Sequence, residues 1–242
     1  MGKEFVAEDV LGNIEYMFPS QVCKKTVEDI HGVDVENGHV VWNGISSEFV
    51  EGGLDRNVPS ALTLGYIGRV HSVKNLSFFL NVNELLKDPA ELKIVTDIAA
   101  AANKKDGGSL LRKMTEGEVI YYAPRSKSRL KEFYENEISA SVVSSVFETY
   151  CNGAVESLVC GVPTLLSDRA GSREVFEKYG LSDLVYSIDD GGSFVDALGV
   201  ADGMDFKISG ELSAELYHDL SWEKVIEKYN EIIDIAVGKD SK

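Results

Sequence analysis

The stretch ISASVVSSVFETYCNGAVESLVCGVPTLLS, residues 138–167, contains a predicted strand, a loop, a helix and a second strand in succession. The apolar runs Ile138–Ser144 and Thr164–Ser167 have the length of strands, and Asn152–Cys160 between them has helical spacing. Two strands joined through a helix pair in parallel, because a parallel pair needs a long crossover connection. The stretch therefore predicts a βαβ unit.

The same alternation of strand and helix continues on both sides of this unit. Most of the predicted strands are continuous apolar runs, which are typical of strands buried on both faces. The further predicted strands are Leu62–Ile67, Leu92–Thr96, Val119–Ala123 and Leu184–Ser187, and the further predicted helices are Asn75–Lys87, Gly108–Lys113, Ser126–Glu135, Ser172–Tyr179 and Phe194–Ala201. We therefore predict an α/β fold with a Rossmann-like, doubly wound parallel sheet.

The first fifty residues have a different pattern. A helix is predicted from the capping residue Ser20 to about Ile30, with Gly32 at its end. A short strand, His39–Trp42, should lead into a turn at Asn43-Gly44, and the acidic, glycine-rich stretch 48–57 should be a connector. At the other end, Ser221 should cap an amphipathic helix that Gly238 terminates.

Composition limits the classes of function. The chain has 242 residues and a formal net charge of −16, which argues against binding to nucleic acid or to anionic membranes. Three cysteines are too few for a disulfide framework and are typical of reduced thiols. The acidic N-terminus does not resemble a signal peptide, and no apolar run has the length of a transmembrane segment. We therefore expect a soluble, cytoplasmic protein, and the four scattered histidines predict no metal site.

The first candidate binding segment is GYIGRVHSVK, residues 65–74, in which a predicted strand ends at Gly68 and is followed by Arg69 and Lys74. Parallel sheets bind ligands at the carboxyl ends of their strands, where two cations one loop apart can bind a diphosphate from two sides. The alternative is that both cations lie on a solvated loop.

The second candidate segment is FETYCNGAVE, residues 147–156. Glu148 should lie in the loop before the helix and Glu156 about one turn into it. Small Gly153 beside Asn152 leaves the N–H groups of the helix terminus accessible to phosphate. Carboxylates on either side of that phosphate can accept hydrogen bonds from hydroxyl groups. The alternative is a turn residue and a solvated helix residue.

Together these residues resemble the nucleotide-sugar-binding half of the retaining GT-B glycosyltransferases, the family described as glycosyl transferases group 1 or family 4-like. Gly68-Arg69 with Lys74 is similar to the diphosphate motif of that family. Glu148 and Glu156 reproduce its two glutamates separated by seven residues. Further similarities are Asn43-Gly44-Ile45 with Phe49, Cys160-Gly161-Val162-Pro163, and Gly171 with Glu174.

The resemblance implies a role for each matching position. Arg69 and Lys74 would bind the diphosphate and stabilise its developing charge, and Glu148 would orient the donor sugar, so that these three would be catalytic. Glu156 would hold the ribose. The backbone near Asn152 and Gly153, beside Tyr150, would meet the phosphates, and the stretch Ala123-Pro124-Arg125 would contact the base. The substrate would be a UDP- or GDP-linked sugar, with no metal and no other cofactor.

The chain departs from the family at several places. It has Thr96-Asp97 where many relatives have Gly-x-Gly, and Cys151-Asn152 where Gly-Leu is commoner. The largest departure is length, because a GT-B enzyme has two Rossmann-like domains. We therefore expect residues 1–47 to be the end of an N-terminal acceptor domain with its connection, residues 48–220 the donor domain, and residues 221–242 a helix that crosses back.

The leading interpretation is the donor-binding part of a hexosyltransferase in polysaccharide or glycan biosynthesis, either excised from a longer protein or a natural half that needs an N-terminal subunit. A sugar-nucleotide epimerase on the same scaffold and a non-catalytic nucleotide-binding or assembly module are the alternatives. The net charge is also uneven: residues 60–83 and 119–131 contain basic residues and no acidic ones, which predicts positive charge near the phosphate site.

Overall fold

Strands and helices alternate along the chain in the computed structural model, which describes residues 14–101 and 107–239. The strands are β1 (Tyr16–Phe18), β2 (Gly38–Val40), β3 (Thr63–Ile67), β4 (Glu91–Val95), β5 (Val119–Tyr122), β6 (Ala140–Val143), β7 (Thr164–Ser167) and β8 (Val185–Tyr186). The helices are α1 (Gln21–His31), α2 (Leu76–Leu80), α3 (Ile98–Ala101), α4 (Gly107–Thr115), α5 (Lys127–Glu137), α6 (Asn152–Val159), α7 (Arg173–Lys178), α8 (Gly191–Gly203), α9 (Gly210–Leu220) and α10 (Trp222–Lys239).

Six strands form one parallel sheet in the order β5-β4-β3-β6-β7-β8. The central strands are buried on both faces, as their continuous apolar sequences require: Leu64, Leu92 and Leu165 are buried. The predicted doubly wound, Rossmann-like sheet is confirmed. Strand order reverses between β3 and β6, and ligands bind sheets of this kind in the crevice at such a reversal.

The side chain of Ile138 packs closely over β3 because β3 contains a glycine at this point. A Cβ atom at Gly65 in β3 would lie 2.7 Å from Cδ1 of Ile138, whose side chain is fully buried just before β6. Since real Cβ atoms keep more distance than this, the packing of Ile138 on β3 requires glycine at this position.

The first segment forms a separate βαβ unit in which β1 and β2 pair in parallel. Ser20 caps α1 as predicted, because its Oγ accepts a hydrogen bond from the N–H of Cys23 at 3.0 Å. Gly32 ends the helix with φ of 65°. The predicted strand is shorter than expected, and β1 was not predicted.

The chain does not turn at Asn43-Gly44, so that prediction is wrong. It continues without regular secondary structure to Ile45, whose N–H donates to the carbonyl of Leu220 at 2.7 Å. A Cβ atom at Gly44 would overlap the ring of Trp222. Glycine is therefore required here for a close approach to α10 and not for a hairpin.

The connector, residues 48–57, is fixed at both ends. Phe49 is buried against Tyr134, with ring centroids 6.3 Å apart. Arg56 is held by backbone carbonyl groups, to which its guanidinium donates hydrogen bonds. Burial is the main cause that lowers the pKa of Arg56, to about 10. The acidic, glycine-rich composition therefore predicts that this stretch is a connector, but it does not predict that the connector is anchored to the rest of the fold through Phe49 and Arg56.

Helices α2, α3 and α9 differ from the prediction, and α3 was not predicted at all. The predicted helix Asn75–Lys87 is a short helix, α2, followed by a 3₁₀ turn at Val82–Glu84. Asn83 lies in this 3₁₀ turn, and its side chain bonds both the N–H and the carbonyl of Ala90 at 2.9 Å. Helix α9 was not predicted, although Ser209 caps it by accepting from the N–H of Leu212 at 3.2 Å.

The last helix, α10, covers the first segment. Val225 and Ile232 are buried with Val41 in a small apolar cluster, against which Tyr229 packs. The Ser221 cap is present, since its Oγ accepts from the N–H of Lys224 at 3.4 Å. The helix includes Gly238 and continues to Lys239, the last described residue, so Gly238 does not terminate it as predicted.

Candidate functional site

A cavity of about 310 Å³ lies at the reversal of strand order. Its walls include Ile67 and Val143 at the carboxyl ends of β3 and β6, together with Lys74, Glu148 and the first residues of α6. The sheet topology therefore brings the two predicted binding segments, 74 residues apart at Lys74 and Glu148, to one cavity.

Lys74 ends a 3₁₀ turn, Ser72–Lys74, whose backbone is attached to the end of β6. The hydroxyl of Ser144 donates to the carbonyl of Lys74 at 3.0 Å, and the N–H of Val146 donates to the carbonyl of Val73 at 2.8 Å. The side chain of Lys74 forms an ion pair with Glu148. The predicted diphosphate cation and the predicted sugar carboxylate are therefore partners of each other.

Arg69 lies at the same edge of the sheet but does not line the cavity. Its side chain is exposed and forms no hydrogen bond or ion pair with any described residue. Gly68 precedes it, and the N–H of Gly68 donates to the carbonyl of Val95 at 3.1 Å, which continues the β3 ladder by one residue. A Cβ atom at Gly68 would lie 3.2 Å from the hydroxyl of Tyr66. Arg69 is thus an unpaired cation beside the cavity.

The loop of Glu148 is fixed to the loop after β7. The N–H of Glu148 donates to the carbonyl of Arg169 at 3.2 Å, and its own carbonyl accepts from Gly171 at 2.9 Å. Tyr150, two residues after Glu148, also lines the cavity and is buried. Its hydroxyl has no hydrogen-bond partner among the described residues. Burial is the main cause that raises the pKa of Tyr150, and the Glu174 carboxylate adds to it, so the phenol is neutral.

Helix α6 begins at the cavity with uncapped N–H groups. Cys151 precedes it with φ of 89°, and its side chain forms no capping hydrogen bond. Within residues 14–101 and 107–239, the N–H groups of Asn152 and Gly153 have no acceptor. These free donors carry partial positive charge and suit an anion. The carbonyl of Gly153 accepts from the hydroxyl of Tyr134 at 3.2 Å, which holds the first turn.

Sequence reasoning did not assign several of the cavity residues to the site, among them Asn43 and Cys151. The amide of Asn43 donates to the Oδ1 of Asn152 at 2.9 Å, so the first segment contributes to the wall. No local pattern could have shown this, because the two residues are 109 apart in sequence. Cys151 lines the cavity as a neutral thiol, since burial is the main cause that raises its pKa to about 11.

Glu156 lies in the second turn of α6 and does not line the cavity. It is mostly buried and has no hydrogen bond or ion pair within the described part of the chain. Desolvation raises the pKa of its carboxyl group, and Lys127 opposes this effect. The carboxyl is therefore available to a donor group from outside the chain.

The stretch Ala123-Pro124-Arg125 follows β5, at the outer edge of the sheet, and does not line the cavity either. Arg125 stacks on Tyr122, with 4.1 Å between the guanidinium carbon and the ring centroid, and pairs with Glu137 at 3.1 Å. Ala123 and Pro124 are exposed. The structure thus brings Lys74, Glu148, Tyr150, Asn152 and Gly153 together and leaves Gly68, Arg69, Glu156 and residues 123–125 outside the cavity.

Among the described residues, no group of three or more His, Cys, Asp or Glu side chains is placed to hold a metal ion. Within the same residues, every helix is too short or too polar to cross a membrane.

Solved structures with the same fold include glycosyltransferases. The lipopolysaccharide outer core galactosyltransferase WaaB in its apo form is 17% identical with a TM-score of 0.70, and the match covers 90% of this chain and 61% of that one. Sucrose-phosphate synthase from Thermosynechococcus elongatus is 14% identical with a TM-score of 0.71, covering 99% of this chain and 64% of that one. Anabaena HepE in complex with UDP and glucose is 14% identical with a TM-score of 0.70, covering 91% and 63%.

The chain thus spans about three fifths of the length of these structures. At such low identity they show the GT-B fold of the chain and nothing further. No curated protein sequence matches it. The sequence model of the family described as "Glycosyl transferases group 1" matches residues 61–200, which contain both predicted binding segments. Because this match extends over more than half of the chain, the protein belongs to the glycosyl transferases group 1 family.

Proposed function

We propose that the chain is the donor-binding part of a retaining, metal-independent glycosyltransferase that uses a nucleoside-diphosphate sugar. The observation that carries the proposal is the cavity at the β3–β6 reversal, where Lys74, Glu148 and the free N–H groups of α6 meet. Cations and helix N-termini bind phosphate, and a carboxylate binds sugar hydroxyl groups. Anabaena HepE, which has the same fold, is in complex with UDP and glucose.

In this proposal, different groups of the site bind the diphosphate and the sugar of the substrate. The diphosphate contacts Lys74, Arg69 and the N–H groups of Asn152 and Gly153, and Glu148 orients the sugar. As the glycosidic bond breaks, negative charge grows on the leaving diphosphate, and fixed positive groups at that place stabilise the transition state. These groups supply the charge that a metal supplies in other nucleotide enzymes.

The two predicted carboxylates have different partners in this proposal. Glu156 lies beyond the cavity wall and accepts hydrogen bonds from the ribose, for which its carboxyl has no competing partner in the described chain. Residues 123–125 contact the base from the outer edge of the sheet. A nucleotide therefore extends from the reversal point toward β5.

The acceptor binds, in this proposal, to a further domain before residue 48. In the described residues β1 and β2 form a sheet of two strands, which is marginal in isolation. Beside it, α10 exposes Ile226, Ile233 and Val237. In this proposal, residues 1–47 are the end of the acceptor domain with its connection, residues 48–220 are the donor domain, and residues 221–242 are the helix that crosses back.

A thermal-shift screen tests the proposal. UDP-, GDP- and ADP-linked sugars are added to the chain, and a ligand that binds only the folded state raises the melting temperature. We expect one base to give a shift of several degrees and the others little. Calorimetry that detects no nucleotide binding to a folded sample would contradict the proposal.

A further inference from the structure

The pairing of Lys74 with Glu148 has a consequence for which ligands the site prefers. Both side chains are mostly buried, with 21% of Lys74 and 19% of Glu148 exposed. Any anion that takes Lys74 as its partner competes with Glu148 for the single positive charge of the ammonium group. Removing one partner from a mostly buried ion pair is costly, because the other charge is left without compensation.

The backbones on both sides of the pair are fixed, so only the side chains can exchange partners. Lys74 is held through Ser144, whose hydroxyl also donates to the carbonyl of Asn75 at 3.1 Å. Glu148 is held by its backbone bonds to Arg169 and Gly171. A ligand that displaces Glu148 from Lys74 therefore leaves the carboxylate in the cavity, next to the ligand.

Among the described residues that line the cavity, Lys74 is the only cation. Cys151, which is influenced electrostatically by both Lys74 and Glu148, is a neutral thiol. The remaining polar cavity groups near it, from Asn43, Asn152 and Thr149, are uncharged. A free nucleoside diphosphate would therefore place its negative charge beside an unpaired carboxylate.

A sugar attached to the diphosphate changes this balance. Its hydroxyl groups donate hydrogen bonds to Glu148 and so take the place of the Lys74 ammonium, which now binds the diphosphate. Hydrogen bonds to a charged group are stronger than those between neutral groups. The free diphosphate also carries more negative charge, since its terminal phosphate ionises a second time with a pKa of about 6. Simple attraction to Lys74 would favour the free diphosphate, and Glu148 opposes that attraction.

We propose that the Lys74–Glu148 pair makes this site select sugar-linked nucleoside diphosphates over free ones, with Glu148 as the specificity-determining residue. This inference rests on the proposed function and deepens it. After transfer the sugar hydroxyls leave with the product, Glu148 pairs with Lys74 again, and the spent diphosphate is released.

The experiment compares the dissociation constants of UDP and UDP-glucose, and of GDP and GDP-mannose, by calorimetry for the wild-type chain and three variants. Glu148→Gln keeps the shape and removes the charge. We expect it to bind the free diphosphate at least about tenfold more tightly, since the loss of the carboxylate charge frees Lys74 for the diphosphate and removes a repulsion. It should bind the sugar nucleotide less tightly, so that the preference for the sugar nucleotide is lost.

Lys74→Met should weaken both ligands. The matched control is Glu227→Gln, which makes the same change of charge in an exposed pair with Lys224 at 2.7 Å, outside the cavity. It should leave both dissociation constants unchanged. Circular dichroism and the melting temperature establish that each variant is folded. If Glu148→Gln does not fold, Glu148→Asp, which weakens the pair by shortening one partner, should bind the free diphosphate more tightly than wild type.

Two failures are distinguishable. If wild type binds a sugar nucleotide but the Glu148 variants bind the free diphosphate no more tightly, the selection role is wrong and the proposed function stands. If neither wild type nor any variant binds any of the four nucleotides or the ADP-linked sugars of the thermal-shift screen, both are wrong.

Discussion

At the scale of single residues, the two predicted diphosphate cations are in different electrostatic situations. Lys74 is paired with Glu148, whereas Arg69 is exposed and has no partner in the described chain. A ligand can therefore gain an interaction with Arg69 without breaking one. This difference makes Arg69 the clearer test of the diphosphate assignment.

We expect Arg69→Ala to weaken nucleoside-diphosphate binding by about tenfold or more, because a hydrogen bond to a charged group contributes about 1.5 to 3 kcal/mol. The melting temperature should stay within about 1 °C of wild type, since an exposed, unpaired side chain adds little stability. Titration calorimetry measures the affinity. Arg129→Ala is the control: Arg129 is exposed on α5 and paired with Glu132 at 2.9 Å. Equal affinity in wild type and Arg69→Ala would remove Arg69 from the site.

Glu156 gives a prediction of pH dependence. Burial raises its pKa, so the folded chain keeps this proton over a pH range in which the unfolded chain has lost it. The free energy of unfolding then falls as the pH rises through that range, from the ordinary glutamate pKa of about 4.3 upward.

Glu156→Gln cannot lose a proton, and it should therefore melt at a higher temperature than wild type at pH 7. The difference should shrink as the pH falls below about 4.3, where both states are protonated. The same variant should bind nucleotides less tightly. Thermal denaturation from pH 4 to pH 8 measures the first effect, with Glu215→Gln, exposed on α9, as the control. A lower melting temperature at pH 7 would show that Glu156 stabilises the fold.

At the scale of elements, Gly171 controls how the first segment meets the loop of Glu148. A Cβ atom at Gly171 would overlap the carbonyl of Thr149 and the side chain of Ser20, which caps α1 and bonds Thr149. Glu174 on the next helix accepts hydrogen bonds from the N–H of Gln21 at 2.7 Å and from the indole of Trp42 at 3.1 Å.

Gly171→Ala should destabilise the fold by about 1 to 3 kcal/mol, because it overpacks a backbone contact that cannot yield. It should also weaken nucleotide binding, since Thr149 is the neighbour of Glu148. Gly199→Ala is the matched control: this glycine is in α8 and a Cβ atom there would meet nothing within 4 Å. Alanine should stabilise that helix by about 0.5 to 1 kcal/mol. Denaturant unfolding measures the free energy of unfolding of both variants. The same change in this free energy for Gly171→Ala and Gly199→Ala would contradict the packing argument.

The elements also show what the sequence predicts and what it does not. Apolar runs and helical spacing predict β3 to β8 and most helices between them, because burial on both faces leaves a strong local pattern. Asn83 bonds Ala90 from the 3₁₀ turn after α2, and Asn43 reaches Asn152 from a distant segment. Such contacts are set by the tertiary fold and leave no periodic pattern. The pairing of Lys74 with Glu148 follows from the topology only once strand order is known.

At the scale of the whole molecule, the uneven charge predicted from the sequence is largely cancelled in space. Of the six cations in the two basic stretches, only Arg69 has no carboxylate partner among the described residues. The pairs are Lys74–Glu148, Arg125–Glu137, Lys127–Glu48, Arg129–Glu132 and Lys131–Glu135. Positive charge at the cavity therefore depends on Arg69, the Lys74 pair and the N-terminus of α6.

The second feature at this scale is the apolar face of α10 that is exposed to solvent. Adjacent residues of α10 differ sharply: Ile232 is 6% exposed and packs in the cluster with Val41, whereas Ile233 is 48% exposed. An apolar side chain left in solvent gains nothing from burial within this chain. The exposed face of α10 also includes Ile226, which is 51% exposed.

Ile232→Ser should lower the free energy of unfolding by about 2 to 4 kcal/mol, because it loses buried apolar area and buries a hydroxyl group. Ile233→Ser should stay within about 0.5 kcal/mol of wild type. If the exposed face is an interface, the double variant Ile226→Ser/Ile233→Ser should also reduce concentration-dependent self-association of the chain, measured by sedimentation velocity, while nucleotide affinity is unchanged. A large loss of stability in Ile233→Ser would instead mean that this side chain is already buried within the chain itself.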